Sequence, residues 1–577
     1  MKHGNIGDRI AEAIRDHVSS DEEVGLVSSF FSEVADEDLL ERGAGNLVES
    51  VRSLKKFAKT RNPGEALLRV FNPVEKQHGW DGEHTCIEVV TDNMPFLVDS
   101  LSIALNRRGY TVQMTAHPVF RVNRTAKGNI RSMERAWADV HDGTFLESWQ
   151  HMEIDCTLAE DEHEALAEEL HAVLRDVAAA VHDWADMRTR AHRIRIDLEQ
   201  HAPPESHVET LELVAFLDWM ENNQFTFLGY REYELVSESE SLRYQPKAGS
   251  GLGILRDGRS GRAEEVIPEP GPSQIRGRAI LTVAKANTPS TVHRSAYLDY
   301  IGIKRFNESG EVVGEHRFLG LFTSAAYSRS PRTIPYLRKK FEDVLHKSGL
   351  SADSHNGKAL AHILETLPRD ELFQGSIDHL LETSRGIVQL QERQRVKLFV
   401  RRDDFHRFFA CLIFVPRDRY NTFSRYRIEA LLLEAFHASS IETSASVDES
   451  ILARLQMTVR GEPDALKRPD VGRLEKRIAD AVRSWEDKLQ AALYSEYADE
   501  QARSLFETYS EAFSAAYKED VDPAEVPADI VHLQELESGA DIVTSLGRPK
   551  SAWLEQEADA EGEGTRLRFK IFRSGHY

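Results

Sequence analysis

A chain of 577 residues, 41% hydrophobic and 29% charged, has the composition of a soluble globular protein and the length for roughly three to five separately packed domains. Its formal net charge of -23, with no sustained Lys/Arg stripe, opposes nucleic acid, and no apolar run reaches bilayer length, so neither nucleic acid nor membrane is an expected partner. The first residues lack a secretory pattern, which makes the cytoplasm the expected location, and Cys86, Cys156 and Cys411 lie too far apart for a disulfide framework or a CxxC zinc site, so reduced buried thiols are expected.

Residues 1–80 read as a helical region, with Ile10, Ala13 and Ile14, then Val27, Phe30 and Phe31 at helical spacing, up to a break at Arg61-Asn62-Pro63-Gly64. Residues 81–200 read as β-α-β-β-α. The β-branched run Thr85, Ile87, Val89, Val90 makes a strand, and Pro95 is placed to open a helix, where its missing N–H costs nothing. Leu97, Leu101 and Leu105 give that helix one buried face, and Gly109 ends it. Tyr110 to Val122 is expected as one strand, Lys127-Gly128-Asn129 as a tip, Phe145 to Leu158 as a further strand region and 160–199 as one long helix. This order is a ferredoxin-like sandwich, with helices on one face of an antiparallel sheet.

Residues 205–330 form a second, α+β module: a helix from Val208 to Met220, then "FTFLGYREYEL", "AILTVAKA", and "LDYIGIKRF" joined to "VVGEHRFLGLF" by a hairpin at Asn307-Glu308-Ser309-Gly310. Residues 331–395 are a helical connector. In 396–498 the first pattern returns, with "FFACLIFVP" as strand, "RDRYNT" as corner, "SRYRIEALLLEAFHA" as helix, "SIETSASVD" and "ARLQMTVR" as paired strands, and a covering helix over 470–496. Residues 499–563 read as helical to 547 and then as the acidic linker "EQEADAEGEG". The last stretch, 564–577, alternates Leu567, Phe569 and Ile571 as a half-buried strand with an unpaired edge, the expected opening of a third module left incomplete.

Catalytic motifs do not emerge. There is no GxxxxGK[ST], HExxH, GxSxG or GxGxxG between strand and helix, and "GSGLG" at 249–253 has the spacing of a turn or bulge. His117 and His151 read as satisfied strand histidines, and the acids show no distinctive pairing. No catalytic, cofactor or metal residue is assigned. The corner "VTDNMPFLVDS" is more informative, because free amides and a positive dipole at a helix start suit a carboxylate. Two readings stand: Asp92 or Asn93 caps the helix internally, or the corner binds a ligand in a pocket closed by the repeated module or by another subunit.

The order Asp92, Pro95, Phe96-Leu97, Leu105, Gly109 resembles the ACT domain pattern, a small regulatory fold that often binds amino acids at this corner. "TDNMPFLVDS", "FTFLGYREYEL", "AYLDYIGIKRF", "RFLGLFTSAAYSRSPRTIPYLRKK", "DSHNGKAL", "ETLPRDELFQ" and "FVPRDRYNT", in that order, resemble the N-terminal regulatory half of the large bacterial NAD-dependent glutamate dehydrogenases. The resemblance implies two ACT-like modules, a PAS-like module at 205–330, helical connectors and the start of a third ACT-like module. It also implies a downstream catalytic domain that uses NAD and carries a Gly-Gly-Lys-type substrate motif and a dinucleotide fold, neither present here, so no cofactor is expected in this segment. An amino-acid effector and a homo-oligomer are the other implied partners. The effector residues so implied are Asp92, Asn93, Met94, Pro95 and Phe96, with Asp92 facing the ammonium group and the amides of 95–98 the carboxylate. At the second corner Pro416-Arg417-Asp418-Arg419 departs from the ACT pattern, and Arg417 and Arg419 are the candidates to meet a carboxylate. The rival is a freestanding sensor or scaffold built from the same modules.

Overall fold

The computed structural model describes residues 12–135, 144–201, 207–238, 241–257, 270, 275, 277, 279–390, 393–447, 450–462, 465–547 and 567–573. Ile10 and the acidic stretch 555–564 lie outside the described residues. The chain divides into two units, 1–384 and 385–577.

The first unit begins with helices α1 (Asp21–Phe30), α2 (Asp36–Arg42) and α3 (Ala44–Phe57), whose apolar positions Val27, Phe30, Leu47, Val48 and Val51 are buried. They share one core with Val90, Met114, Phe120, Val122 and Trp149 of the first sheet, so they belong to that module and do not stand apart. The sheet holds β1 (Leu67–Phe71), β2 (Cys86–Asp92), β3 (Val112–Ala116), β4 (Val119–Arg124), β5 (Ile130–Arg135) and β6 (Thr144–Ile154), ordered β1-β2-β6-β4-β5 with β3 also on β6. The expected strand over 110–122 is cut in two at His117-Pro118, because proline has no amide for the ladder. β1, absent from the sequence reading, pairs with β2.

Helix α4 (Leu97–Arg107) buries Leu97, Leu101 and Leu105, and Gly109 follows at φ 84°. The expected single helix over 160–199 is two, α5 (Glu160–His182) and α6 (Trp184–His201), interrupted at Asp183. Asp183 accepts hydrogen bonds from the Gly253 amide at 2.7 Å and from Arg256 Nη2 at 2.5 Å. Helices therefore cover both faces of the sheet, α1–α3 on one and α4–α5 on the other, where one covered face was expected.

After α7 (His207–Trp219), the second sheet runs β10-β11-β12-β7-β8 with β9 on β7; its strands are β7 (Phe225–Glu238), β8 (Ser241–Pro246), β9 (Leu252–Gly253), β10 (Leu281–Pro289), β11 (Tyr297–Phe306) and β12 (Val312–Phe322). Helices α8 (Leu337–Ser348), α9 (His355–Thr366), α10 (Arg369–Gln374) and α11 (Ile377–Leu390) follow.

The second unit holds a four-stranded sheet, β13 (Lys397–Arg402), β14 (Phe408–Pro416), β15 (Ser440–Ser446) and β16 (Leu452–Arg460), ordered β13-β14-β16-β15. Ile428, Leu432 and Phe436 of α12 (Thr422–Phe436) and Leu474 and Ile478 of α13 (Val471–Ala481) join Phe409, Cys411 and Ile413 in its core. Helices α14 (Trp485–Glu496), α15 (Asp499–Tyr509), α16 (Ala515–Asp520) and α17 (Val526–Glu537) come next. The helix expected to reach 547 stops ten residues short. Ile542–Gly547 is strand β17, and it pairs antiparallel with β18 (Arg568–Arg573), so the terminal strand is not the unpaired one expected. Its apolar face is nonetheless exposed at Leu567, Phe569 and Ile571.

Candidate functional site

The two strand–helix corners have the same plan and opposite endings. At the second, Asn421 caps α12: its Oδ1 accepts the Ser424 amide at 2.8 Å, and Ser424 Oγ accepts the Asn421 amide at 2.9 Å. Arg419 is paired with Asp487 at 2.8 Å, so the carboxylate it meets is the chain's own, and Arg417 is exposed.

The first corner has no side-chain cap. Asp92 does not reach the helix: Oδ1 takes Arg61 Nη2 at 2.5 Å and Oδ2 takes the Gly64 amide at 2.8 Å. Asn93 is tied through its amide to the Leu146 carbonyl at 2.9 Å. Pro95 lies in the turn ahead of the helix and not at its first position; it has no N–H to offer, so the amides that matter begin at Phe96. Phe96 occupies the N-cap position with φ 74°, a left-handed conformation that costs a bulky residue roughly 1–2 kcal/mol. Such strain persists where surrounding structure holds it.

That structure comes from the second module and not from the repeat. The Phe96 ring lies 4.7 Å from that of His293, whose own φ is 75°. Ser100 Oγ donates to the Phe96 carbonyl at 2.6 Å and accepts the His293 amide at 3.1 Å. His293 Nδ1 is buried without a hydrogen-bond partner, 3.9 Å from Asp99; burial holds this imidazole below its ordinary range against the pull of Asp99. Beside these contacts is a cavity of about 390 Å³, lined by Pro95, Phe96, Val181, Trp184, Phe227 and Thr226 among others. A largely apolar cavity of this size with a few polar groups at its edge suits a small molecule.

Of the candidate residues at the first corner, Pro95 and Phe96 line the cavity and Asp92, Asn93 and Met94 do not, while Arg417 and Arg419 belong to the other unit. The sequence reading missed Trp184, Thr226 and His293, which are more than eighty residues from the corner in sequence; a pocket between modules leaves no local signal. No described helix is long and apolar enough to cross a membrane.

Family models match four stretches of the chain: the glutamate dehydrogenase ACT1 domain over 26–170, helical motif 1 over 334–393, the ACT2 domain over 397–486 and helical motif 2 over 492–536. This is a multi-module α and β protein with two ACT domains. The NAD-specific glutamate dehydrogenase of Halomonas elongata is 35% identical over 95% of this chain and 33% of its own length. That of Pseudomonas aeruginosa is 34% identical over 91% of this chain and 32% of its length, and that of Mycobacterium tuberculosis 29% identical over 83% and 29%. The chain belongs to the large NAD-specific glutamate dehydrogenase family, and it spans about a third of the length of the curated relatives it matches.

Proposed function

We propose that this chain is the regulatory and assembly segment of a large NAD-specific glutamate dehydrogenase, which converts L-glutamate, NAD and water to 2-oxoglutarate, ammonium and NADH in the cytoplasm. In this reading the catalytic, NAD-binding domain lies outside these residues, and the parent enzyme is a homo-oligomer. The supporting observation is the order of the four glutamate dehydrogenase modules along a stretch equal to a third of the relatives. Its ACT modules are of the ferredoxin-like kind and 205–330 is PAS-like.

The effector is an amino acid at the 92–96 corner. Its carboxylate faces the amides from Phe96 onward and its side chain enters the apolar cavity, while Asp92, engaged by Arg61 and Gly64, positions the corner. The absence of a side-chain cap at α4, where α12 has one, supports this choice of corner over 417–419. Calorimetric titration of the 577-residue chain with a panel of amino acids tests the site: Ala180→Phe, which fills the cavity, should abolish the heat of binding. Equal binding by both proteins, or binding by neither, would remove the corner. Separately, the chain with glutamate and NAD should form no NADH above a blank, and turnover would refute the assignment of catalysis elsewhere.

A further inference from the structure

A second cluster lies on the opposite side of the first sheet, independent of the corner. The register of β2 against β6 sets Cys86 beside Glu153 and Glu88 beside His151, and alternation puts all four on one face. All are buried, and Cys86 Sγ, a ring nitrogen of His151 and a carboxylate oxygen of Glu153 lie within 4.8 Å of one another. His151 Nε2 is 3.3 Å from Glu153 Oε1. Two ligands of a tetrahedral zinc ion, each about 2.0–2.3 Å from it, are about 3.3–3.8 Å apart, so small adjustments close the set.

The surroundings are those of a metal site. His151 Nδ1 is 3.0 Å from Glu88 Oε1, the carboxylate–histidine contact that orients a metal-binding imidazole through its other nitrogen. Glu88 Oε2 is held by Arg69 at 2.5 Å and Glu153 Oε2 by Arg42 at 2.6 Å, which leaves Glu153 Oε1 as the oxygen facing the cluster. Cys86 and Glu153 border a cavity of about 600 Å³ whose lining also includes Asp38, Glu41, Asp81 and Glu83, an acidic approach for a cation. His84 lines the same cavity, and its Nδ1 is buried without a hydrogen-bond partner.

We propose that Cys86 Sγ, His151 Nε2 and Glu153 Oε1 bind a zinc-class divalent ion, with Glu88 as the positioning residue for His151 and the fourth position on the cavity side. A mixed thiolate, imidazole and carboxylate set with a place left open is a zinc arrangement. Binding breaks the Sγ–H and Nε2–H bonds and sends both protons to solvent.

The test is titration of the whole 577-residue chain with Co(II), read as the thiolate-to-cobalt charge-transfer band in the near ultraviolet, followed by displacement with Zn(II). The wild type should show the band and lose it to zinc. The double variant Cys156→Ser/Cys411→Ser, in which Cys86 is the remaining thiol, should keep it, and Cys86→Ser should lose it. Glu88→Gln should weaken zinc binding by about 10–100-fold. No band in the wild type, its loss in the double variant, or its survival in Cys86→Ser would each overturn the site.

Discussion

Glu147→Gln offers the sharpest test of what holds the first corner. Glu147 is fully buried on β6, with Oε1 accepting from Arg61 Nη2 at 2.9 Å and Arg124 Nε at 2.6 Å, and Oε2 from Arg124 Nη2 at 2.8 Å and Trp149 Nε1 at 3.1 Å. Glutamine keeps the shape and one acceptor, but removes the charge and turns an NH₂ toward a guanidinium. Breaking a buried pair costs about 3–5 kcal/mol, because the partner is left as an uncompensated buried charge. Arg61 keeps Asp92, and Arg124 keeps the Ala58 and Gly128 carbonyls, which argues for the lower end, about 3 kcal/mol. At 1.36 kcal/mol per decade this is roughly a 150-fold faster opening of the module. A chain of several modules has no single unfolding free energy, so the measurement is amide hydrogen exchange resolved to the peptides of β2 and β6. Acceleration in the peptides of this module, β2 and β6 among them, and not in those of the second unit is expected. A change under about fivefold would mean that the ion cluster contributes little to the module and that the reasoning from burial fails.

Acid should reach the same cluster. Burial alone would raise the Glu147 pKa, but Arg124 and Arg61 overcome it and hold it below the ordinary carboxylate value. A depressed folded pKa contributes stability that is complete above the unfolded value of about 4.3 and is lost as pH falls from there through the lower folded one. Exchange protection of β6 should therefore hold from neutrality to about pH 5, decline progressively as pH falls from about 4.3 through the depressed Glu147 pKa, and lose part of that dependence in Glu147→Gln; a pH-independent wild type would contradict the shift. Asn421→Ala, which removes the cap of α12, should lower the stability of the second unit by about 1 kcal/mol, seen as faster exchange in the first turn of α12. Gly109→Val should cost about 1–2 kcal/mol from its φ of 84° alone, since a Cβ there meets nothing within 4 Å. Gly128→Ala should cost more, because its Cβ would lie 2.6 Å from the Arg61 carbonyl, and equal acceleration of amide exchange in the first module by the two variants would refute the comparison.

The elements that were legible in the sequence carry their own local signal. β2, α4 and Gly109 could be read because β-branched alternation, leucines four apart and a terminal glycine all act within one element, and the same signals exposed the repeat at β14–α12. β1 was missed because "LLRVF" is five residues without clean alternation, and β17 because "IVTSLG" follows a long helical run and its partner lies beyond the acidic stretch. The environment of Asp92 was illegible for another reason. Its partners Arg61 and Gly64 are about thirty residues away, in a segment that reads only as a break. Cys86 and His151 each look isolated in sequence, and only the pairing of β2 with β6, strands separated by three others, makes them neighbours.

The unlike endings of the two corners bear on which parts of this chain are portable. α12 carries its start signal in its own sequence, so the module around it can be moved to another protein with that helix start intact. α4 borrows its start: Phe96 leans on His293, Ser100 Oγ on the amide of the same residue, and the end of the neighbouring α5 on the short strand β9 at Gly253. Cutting near residue 200 strips those supports and uncovers Ala180 and Val181. Anyone grafting the first module as a sensing part must carry the second with it to about residue 323, and the natural unit of transfer in this chain is thus a pair.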